Sequence, residues 1–391
     1  MKKNIVNSAR VPVYRDSGFE LTDAGTTAKA FKAETENEHE PALYIYSRYR
    51  NPTVVAAEKE IMKLEGARWS LLTQSGMSAI DTALSVFQKG KKVRPWLFFS
   101  EIYGGTISFA TNILENRRGL DIRSILPLNE KYDLPAFEAA MQEIRPELVY
   151  IESVSNPMLI VPDAKEIIRI AKKNNAKVIV DNTFATPYLW KPLTDGADIV
   201  LHSATKYFSG HGNLTAGVIC GNNLQIMKSV IEYRKFVGHM ISADEAYRLH
   251  TQVQTFELRF MQQCNNASRV AAIMSASPLV SKVWYPGLKD HPTHPEAVKL
   301  FGKKGFGGMV TFDFAGSDLR QKEKRRDTFI KAVSGSIRLI PTLGDPASIL
   351  IPVEAVWGAK YQEPGMIRFS AGFENTVELE EVIKKGLSAV K

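Results

Sequence analysis

From about residue 66 to about residue 220, short continuous apolar runs alternate with helix-like segments, and this rhythm restricts the fold more than any other feature of the chain. The runs are Trp96-Leu97-Phe98-Phe99, Leu148-Val149-Tyr150-Ile151, Val178-Ile179-Val180, Ile199-Val200-Leu201 and Gly217-Val218-Ile219-Cys220. A strand with one wet face alternates apolar and polar residues, whereas an unbroken apolar run has both faces covered. Such strands separated by helices predict a largely parallel sheet with helices on both sides. Sheets of this build take ligands outside the carboxyl ends of their strands. Glu152, Asp181 and Ser203 each fall at such an end.

Two of these ends carry chemistry when taken together. One apolar run closes in Ser203-Ala204-Thr205-Lys206, which sets an amine beside two hydroxyls. A lysine there can condense with an aldehyde cofactor while the hydroxyls hold a phosphate. The preceding run closes in Asp181-Asn182-Thr183. Read alone, Lys206 is a solvated loop residue and Asp181 a cap or turn residue. Read as an ordered pair they point to pyridoxal phosphate, whose ring nitrogen needs a carboxylate to stay protonated and act as an electron sink. Ser75-Gly76-Met77, opening a helix after Leu71-Leu72, adds an amino end suited to a phosphate, although Ser75 is equally readable as a simple helix cap.

Further motifs follow in a fixed order: Tyr46-Ser47-Arg48-Tyr49-Arg50-Asn51-Pro52-Thr53, Gln74-Ser75-Gly76-Met77, Tyr103-Gly104-Gly105-Thr106, Glu152-Ser153-Val154-Ser155-Asn156-Pro157, Leu343-Gly344-Asp345 and Ile367-Arg368-Phe369-Ser370-Ala371-Gly372-Phe373-Glu374. With these the chain resembles, over nearly its whole length, the Cys/Met-metabolism family of pyridoxal-phosphate enzymes. That family includes cystathionine γ-synthase, cystathionine lyases, methionine γ-lyase and O-acylhomoserine sulfhydrylases. The resemblance implies a fold-type I α/β transferase: a mainly parallel seven-stranded sheet with a smaller α+β carboxyl-terminal domain. The expected division is an arm over residues 1–50, a cofactor-binding domain over 51–245 and a carboxyl-terminal domain over 246–391.

The resemblance also implies roles. Lys206 would hold pyridoxal 5′-phosphate and later move the substrate's α-proton. Asp181 would face the ring nitrogen, with Thr183 beside it, and Tyr103 would stack on the ring. The amides of Gly76 and Met77 and the hydroxyls of Ser203 and Thr205 would hold the phosphate. Tyr46 and Arg48 would reach a neighbouring subunit's phosphate, so each site would be shared within a homo-oligomer, a dimer of dimers. Asn156 would touch cofactor and substrate, and Arg368 and Thr342 would bind the substrate. Without the resemblance, Arg368 reads as one half of an internal salt bridge, Asn156 as a turn residue and Tyr103 as a core aromatic.

Several positions depart from the family pattern. Ser108 stands where members acting on cystathionine or O-succinyl substrates carry arginine. Ala347 stands where some carry glutamate, and Gly105 where methionine γ-lyases often carry cysteine. His211-Gly212-Asn213 and Ile351-Pro352-Val353-Glu354 replace the usual triplet and the usual substrate loop. Neutral Ser108 and Ala347 imply a substrate with an uncharged tail. The resulting expectation is a carbon–sulfur lyase acting by γ-elimination on methionine, homocysteine or cystathionine-type substrates. O-acetylhomoserine sulfhydrylase or cystathionine γ-synthase activity is the alternative, with aminotransferase activity further off.

The remaining composition excludes other classes. The net charge of +8 is spread out, and the basic clusters at 89–92 and 322–326 are short, which argues against nucleic-acid binding. No apolar run is long enough to span a bilayer. Cys220 and Cys264 form neither a disulfide framework nor a metal-binding spacing, and Met1-Lys2-Lys3-Asn4-Ile5 lacks a signal-peptide core. A cytoplasmic, metal-free amino-acid enzyme is expected.

Overall fold

A computed structural model describes residues 9–34, 41–88, 94–361 and 363–390. The start of the chain, the basic cluster at 89–92 and residues 35–40 of the arm's charged patch lie outside the described residues.

The main sheet consists of β1 (Trp69–Thr73), β2 (Trp96–Phe99), β3 (Ile122–Ile125), β4 (Leu148–Glu152), β5 (Lys177–Asp181), β6 (Ile199–Ser203) and β7 (Gly217–Gly221). The seven strands lie in the order β1-β7-β6-β5-β4-β2-β3. The pairs from β6 through β5, β4 and β2 to β3 are parallel, and β7 alone runs antiparallel to both its neighbours. The expected α/β architecture with a mainly parallel sheet is present. All residues of β1, β2, β4 and β7 are buried, as unbroken apolar runs require when helices cover both faces. Strand β3, Ile-Arg-Ser-Ile, lies at one edge of the sheet and is half exposed, whereas β1 at the other edge is buried throughout. The mixed composition of β3 carries no apolar run.

Beyond the main sheet lies a second one of β8 (Val280–Trp284), β9 (Met309–Phe314), β10 (Arg338–Leu339), β11 (Ile349–Pro352) and β12 (Met366–Ser370), ordered β10-β11-β12-β9-β8. It is antiparallel except where β10 meets β11. Helices Phe256–Ser275, Leu319–Val333 and Thr376–Ala389 cover it through Met274, Phe329, Val333, Leu379 and Ile383, which share a core with Phe312, Phe314 and Phe369.

The sequence from about 240 to 275 reads as one long helical stretch, but the structure divides it into two helices, Ala243–Val253 and Phe256–Ser275, broken at Gln254-Thr255. The polar first 50 residues read as irregular, yet Ala24–Lys32 is helical, started by Asp23, whose carboxylate accepts from the Thr26 N–H at 2.8 Å. The next helix begins as the sequence suggests, with Pro52 in its first turn and the Asn51 side chain accepting from Thr53 N–H at 2.9 Å.

Candidate active site

The parallel register sets Glu152 directly beside Asp181, each the last residue of its strand. Ser203 ends the adjacent β6. The chain then turns sharply, with Lys206 N–H donating to Ser203 O at 3.1 Å. Buried Arg259 holds this turn by donating to the carbonyls of Tyr207 at 3.0 Å and Phe208 at 2.9 Å. Gly210 closes it at φ +62°, where a Cβ would fall 1.5 Å from Arg259 Nη1, so no other residue fits without displacing that arginine. These contacts aim Lys206 into a cavity of about 250 Å³.

The cavity gathers most of the sequence-predicted residues. Gly76, Met77, Tyr103, Asn156, Asp181, Thr183, Ser203, Thr205, Lys206, Thr342 and Arg368 all line it. Tyr46 and Arg48 do not. They lie on the arm, where Arg48 donates to Lys235 O at 2.7 Å and packs against the rings of Tyr46 and Tyr49. The lining also includes Glu152, Thr215, Val154, Phe184 and Leu343, to which the sequence reading gave no role. Glu152 had a signal, since it closes an apolar run as Asp181 does. Thr215 had none, because only the antiparallel pairing of β7 with β6 brings it to this edge.

One end of the cavity is built for an anion. Ser75 caps the helix Gly76–Ser85 by accepting from Ser78 N–H at 3.1 Å. Gly76 and Met77 lie in its first turn, where backbone amides have no intrahelical acceptor. A Cβ on Gly76 would crowd Ser203 Cβ and Oγ at 3.0 Å, so glycine lets the two elements approach. Ser203 Oγ stands beside Gly76 here, and Thr205, whose hydroxyl donates to Ala216 O at 3.2 Å and accepts from Ala216 N–H at 2.9 Å, also lines the cavity.

The other groups are held in unusual states. Asp181 accepts from Thr183 N at 3.0 Å and Thr183 Oγ1 at 2.5 Å, and Tyr150 OH donates to its second oxygen at 3.4 Å. Burial still raises its pKa, because those bonds do not offset the lost hydration. Burial and the adjacent Asp181 push Glu152 well above the carboxylate range, although Tyr103 N–H donates to it at 2.6 Å. Lys206 is drawn down to about 8 by burial and by Arg368, with Asp345 opposing. Its Nζ donates to Thr342 Oγ1 at 2.8 Å.

Arg368 is 7% exposed, and burial lowers it to about 10, so it remains charged at neutral pH. It donates to Thr342 O at 2.8 Å and, at 3.4 Å, to Asn156 Oδ1, while its Nε has no partner. The internal salt bridge is therefore not what holds it: among the described residues its polar contacts are neutral oxygens.

This donor set fits pyridoxal phosphate. The first-turn amides of Gly76 and Met77 lie beside the Ser203 hydroxyl, a buried acid with no salt-bridge partner among the described residues lies at the strand ends, and an amine with a lowered pKa stands in the same cavity. Bound there, the cofactor would supply a delocalising sink for negative charge at the substrate's α-carbon. Among the described residues no cluster of His, Cys, Asp and Glu could hold a metal, and no helix is long and apolar enough to cross a membrane.

Comparison with known proteins gives the class. The family model for Cys/Met metabolism PLP-dependent enzymes matches residues 1–388, and the chain belongs to that family. It is a pyridoxal-phosphate-dependent enzyme, in the group of carbon–sulfur lyases and γ-synthases of sulfur amino-acid metabolism. It is 33% identical to a cystathionine β-lyase of Lactococcus lactis subsp. cremoris over 96% of this chain and 93% of that protein. It is 32% identical to an L-methionine γ-lyase of Fusobacterium nucleatum subsp. polymorphum, covering 99% and 95% of the two chains. The crystal structure of metB from Corynebacterium glutamicum superimposes with a TM-score of 0.84 at 28% identity, over 98% of this chain and 94% of that one.

Proposed function

We propose that the protein is a carbon–sulfur lyase that eliminates a thiol from the γ-carbon of an amino acid with an uncharged tail, releasing 2-oxobutanoate and ammonia. The observation that carries this reading is the charge inventory of the cavity. Among the described residues of one chain, Lys206 and Arg368 are its only cationic lining residues. With Lys206 occupied by cofactor and base chemistry, Arg368 is left for one carboxylate, through a planar fork suited to bidentate pairing. A second, distal carboxylate would find no cation in the lining. Methionine and homocysteine satisfy this inventory.

In this reading Lys206 Nζ takes the α-proton and carries it onward; an amine drawn down to about 8 is a workable base near neutral pH. Asp181 keeps a proton on the cofactor's ring nitrogen. Tyr103, 49% exposed at the cavity, would stack on the cofactor ring. Asn156, Thr342 and Arg368 fix the substrate's carboxylate end. The phosphate is held by Gly76, Met77, Ser203 and Thr205, and by Tyr46 and Arg48 from a neighbouring subunit, because these two lie outside the cavity of their own chain. The division into an arm over 1–50 and domains over 51–245 and 246–391 belongs to the same reading.

The test is a product assay on the purified, cofactor-loaded protein. Release of 2-oxobutanoate and a thiol from methionine or homocysteine alone supports the lyase. Turnover only with O-acetylhomoserine plus sulfide would replace it by the γ-replacement reaction.

A further inference from the structure

The segment after β11, whose first residues depart from the family pattern, forms a strap. Helix Val353–Trp357 and the turn Gly358–Lys360 carry the chain away from the second sheet. At its start Glu354 pairs with Arg326 at 3.2 Å. At its end Lys360 Nζ pairs with Glu101 at 2.9 Å, and Tyr361 OH donates to the other oxygen of the same carboxylate. Glu101 lies two residues before Tyr103, so the strap is fastened to the loop that carries the exposed cavity aromatic.

Between these fastenings stands Trp357, half-buried against the main core. The Arg368 guanidinium carbon lies 5.4 Å from its ring centroid, and Tyr361 packs edge-on to the same indole. A carboxylate partner would neutralise Arg368 and compete with a substrate for its donors. An aromatic face does neither: it attracts the cation through the ring quadrupole, excludes water, and leaves the in-plane N–H groups free. Consistent with this, the buried Nε of Arg368 has no hydrogen-bond partner, and the bond to Asn156 Oδ1 is long at 3.4 Å.

We propose that Trp357 is a positioning and specificity-determining residue: it plates the guanidinium of Arg368 so that this cavity selects amino acids bearing an α-carboxylate, and Glu101 holds the strap that carries it. The inference rests on the reading that Arg368 binds that carboxylate.

The test uses the cofactor-loaded protein titrated with L-norleucine and with n-pentylamine, the same molecule lacking the carboxylate, and followed by the absorbance of bound cofactor. The ratio of the two dissociation constants reads the carboxylate subsite. Trp357→Ala should lower the preference for norleucine about tenfold, while Trp357→Phe keeps most of it. Glu101→Gln should weaken norleucine binding without changing pentylamine binding, and it carries the test if Trp357→Ala fails to fold. Arg368→Ala should abolish the preference. If Arg368→Ala abolishes it and Trp357→Ala leaves it unchanged, the inference on Trp357 is overturned. If Arg368→Ala leaves it unchanged, the carboxylate reading itself fails.

Discussion

Replacing Lys206 with methionine should stabilise the cofactor-free protein. Burial, reinforced by the positive charge of Arg368 and opposed by Asp345, lowers this ammonium from 10.5 to about 8. At about 1.4 kcal/mol per tenfold change, keeping the amine protonated in place costs about 3 kcal/mol at neutral pH. That figure is an upper bound, because the side chain is only partly buried and its amine faces a cavity that water can enter. The bond to Thr342 Oγ1 at 2.8 Å offsets part of it. Since such a bond contributes about 1 kcal/mol, the net gain for Lys206→Met is about 1–2 kcal/mol. The sign can be read from pH. Between about 8 and 10.5 the unfolded chain holds a proton on this amine that the folded chain has lost, so wild-type stability from this group rises with pH across that window. Methionine lacks that rise. Urea denaturation of the two cofactor-free proteins at equal concentration should show the full advantage of Lys206→Met at pH 7, shrinking toward pH 10.5. A less stable variant at pH 7, or an advantage that does not shrink, would refute the reasoning.

Other outcomes follow from the same geometry. Asp181→Ala should keep bound cofactor yet lose turnover by roughly 10²–10⁴-fold; near-normal turnover would remove Asp181 from its place at the ring nitrogen. Arg48→Ala and Lys206→Ala, each inactive alone, should regain activity when mixed and allowed to exchange subunits, and no recovery after verified exchange would argue against a shared site. Glu65→Ala should cost about 1–3 kcal/mol in urea denaturation, because it leaves buried His202 without its hydrogen-bond partner. The two side chains are 0% and 1% exposed and 2.5 Å apart, next to Ser203; a cost below about 1 kcal/mol would mean that His202 tolerates isolation.

The sequence displayed the parts of this molecule whose physics is local or repetitive. Unbroken apolar runs at Trp96–Phe99 and Leu148–Ile151 can persist only where both faces are covered, and that gave the main sheet. The same runs mark their own ends, and so place Glu152, Asp181 and Ser203 at the carboxyl edge of the sheet. Strand β3 escaped because its mixed sequence, Ile-Arg-Ser-Ile, half exposed at one edge of the sheet, carries no apolar run. The break at Gln254-Thr255 escaped because neither residue is a glycine or proline and the polar pattern continues across it. The strap escaped for a different reason. Trp357 and Tyr361 acquire meaning only through Arg368 and Glu101, which are distant in sequence and adjacent in space. The arm shows the same limit: Tyr46 and Arg48 carry a motif, yet they lie outside the cavity that holds Lys206 in their own chain.

The central claim is that Lys206, at the carboxyl edge of the main sheet, carries the cofactor. Borohydride reduction of the pyridoxal-phosphate-loaded protein, followed by peptide mapping by mass spectrometry, tests it most directly. The account predicts one stoichiometric adduct of reduced cofactor, on the peptide containing Lys206. An adduct on another lysine, or none on a protein shown to be loaded, would contradict it.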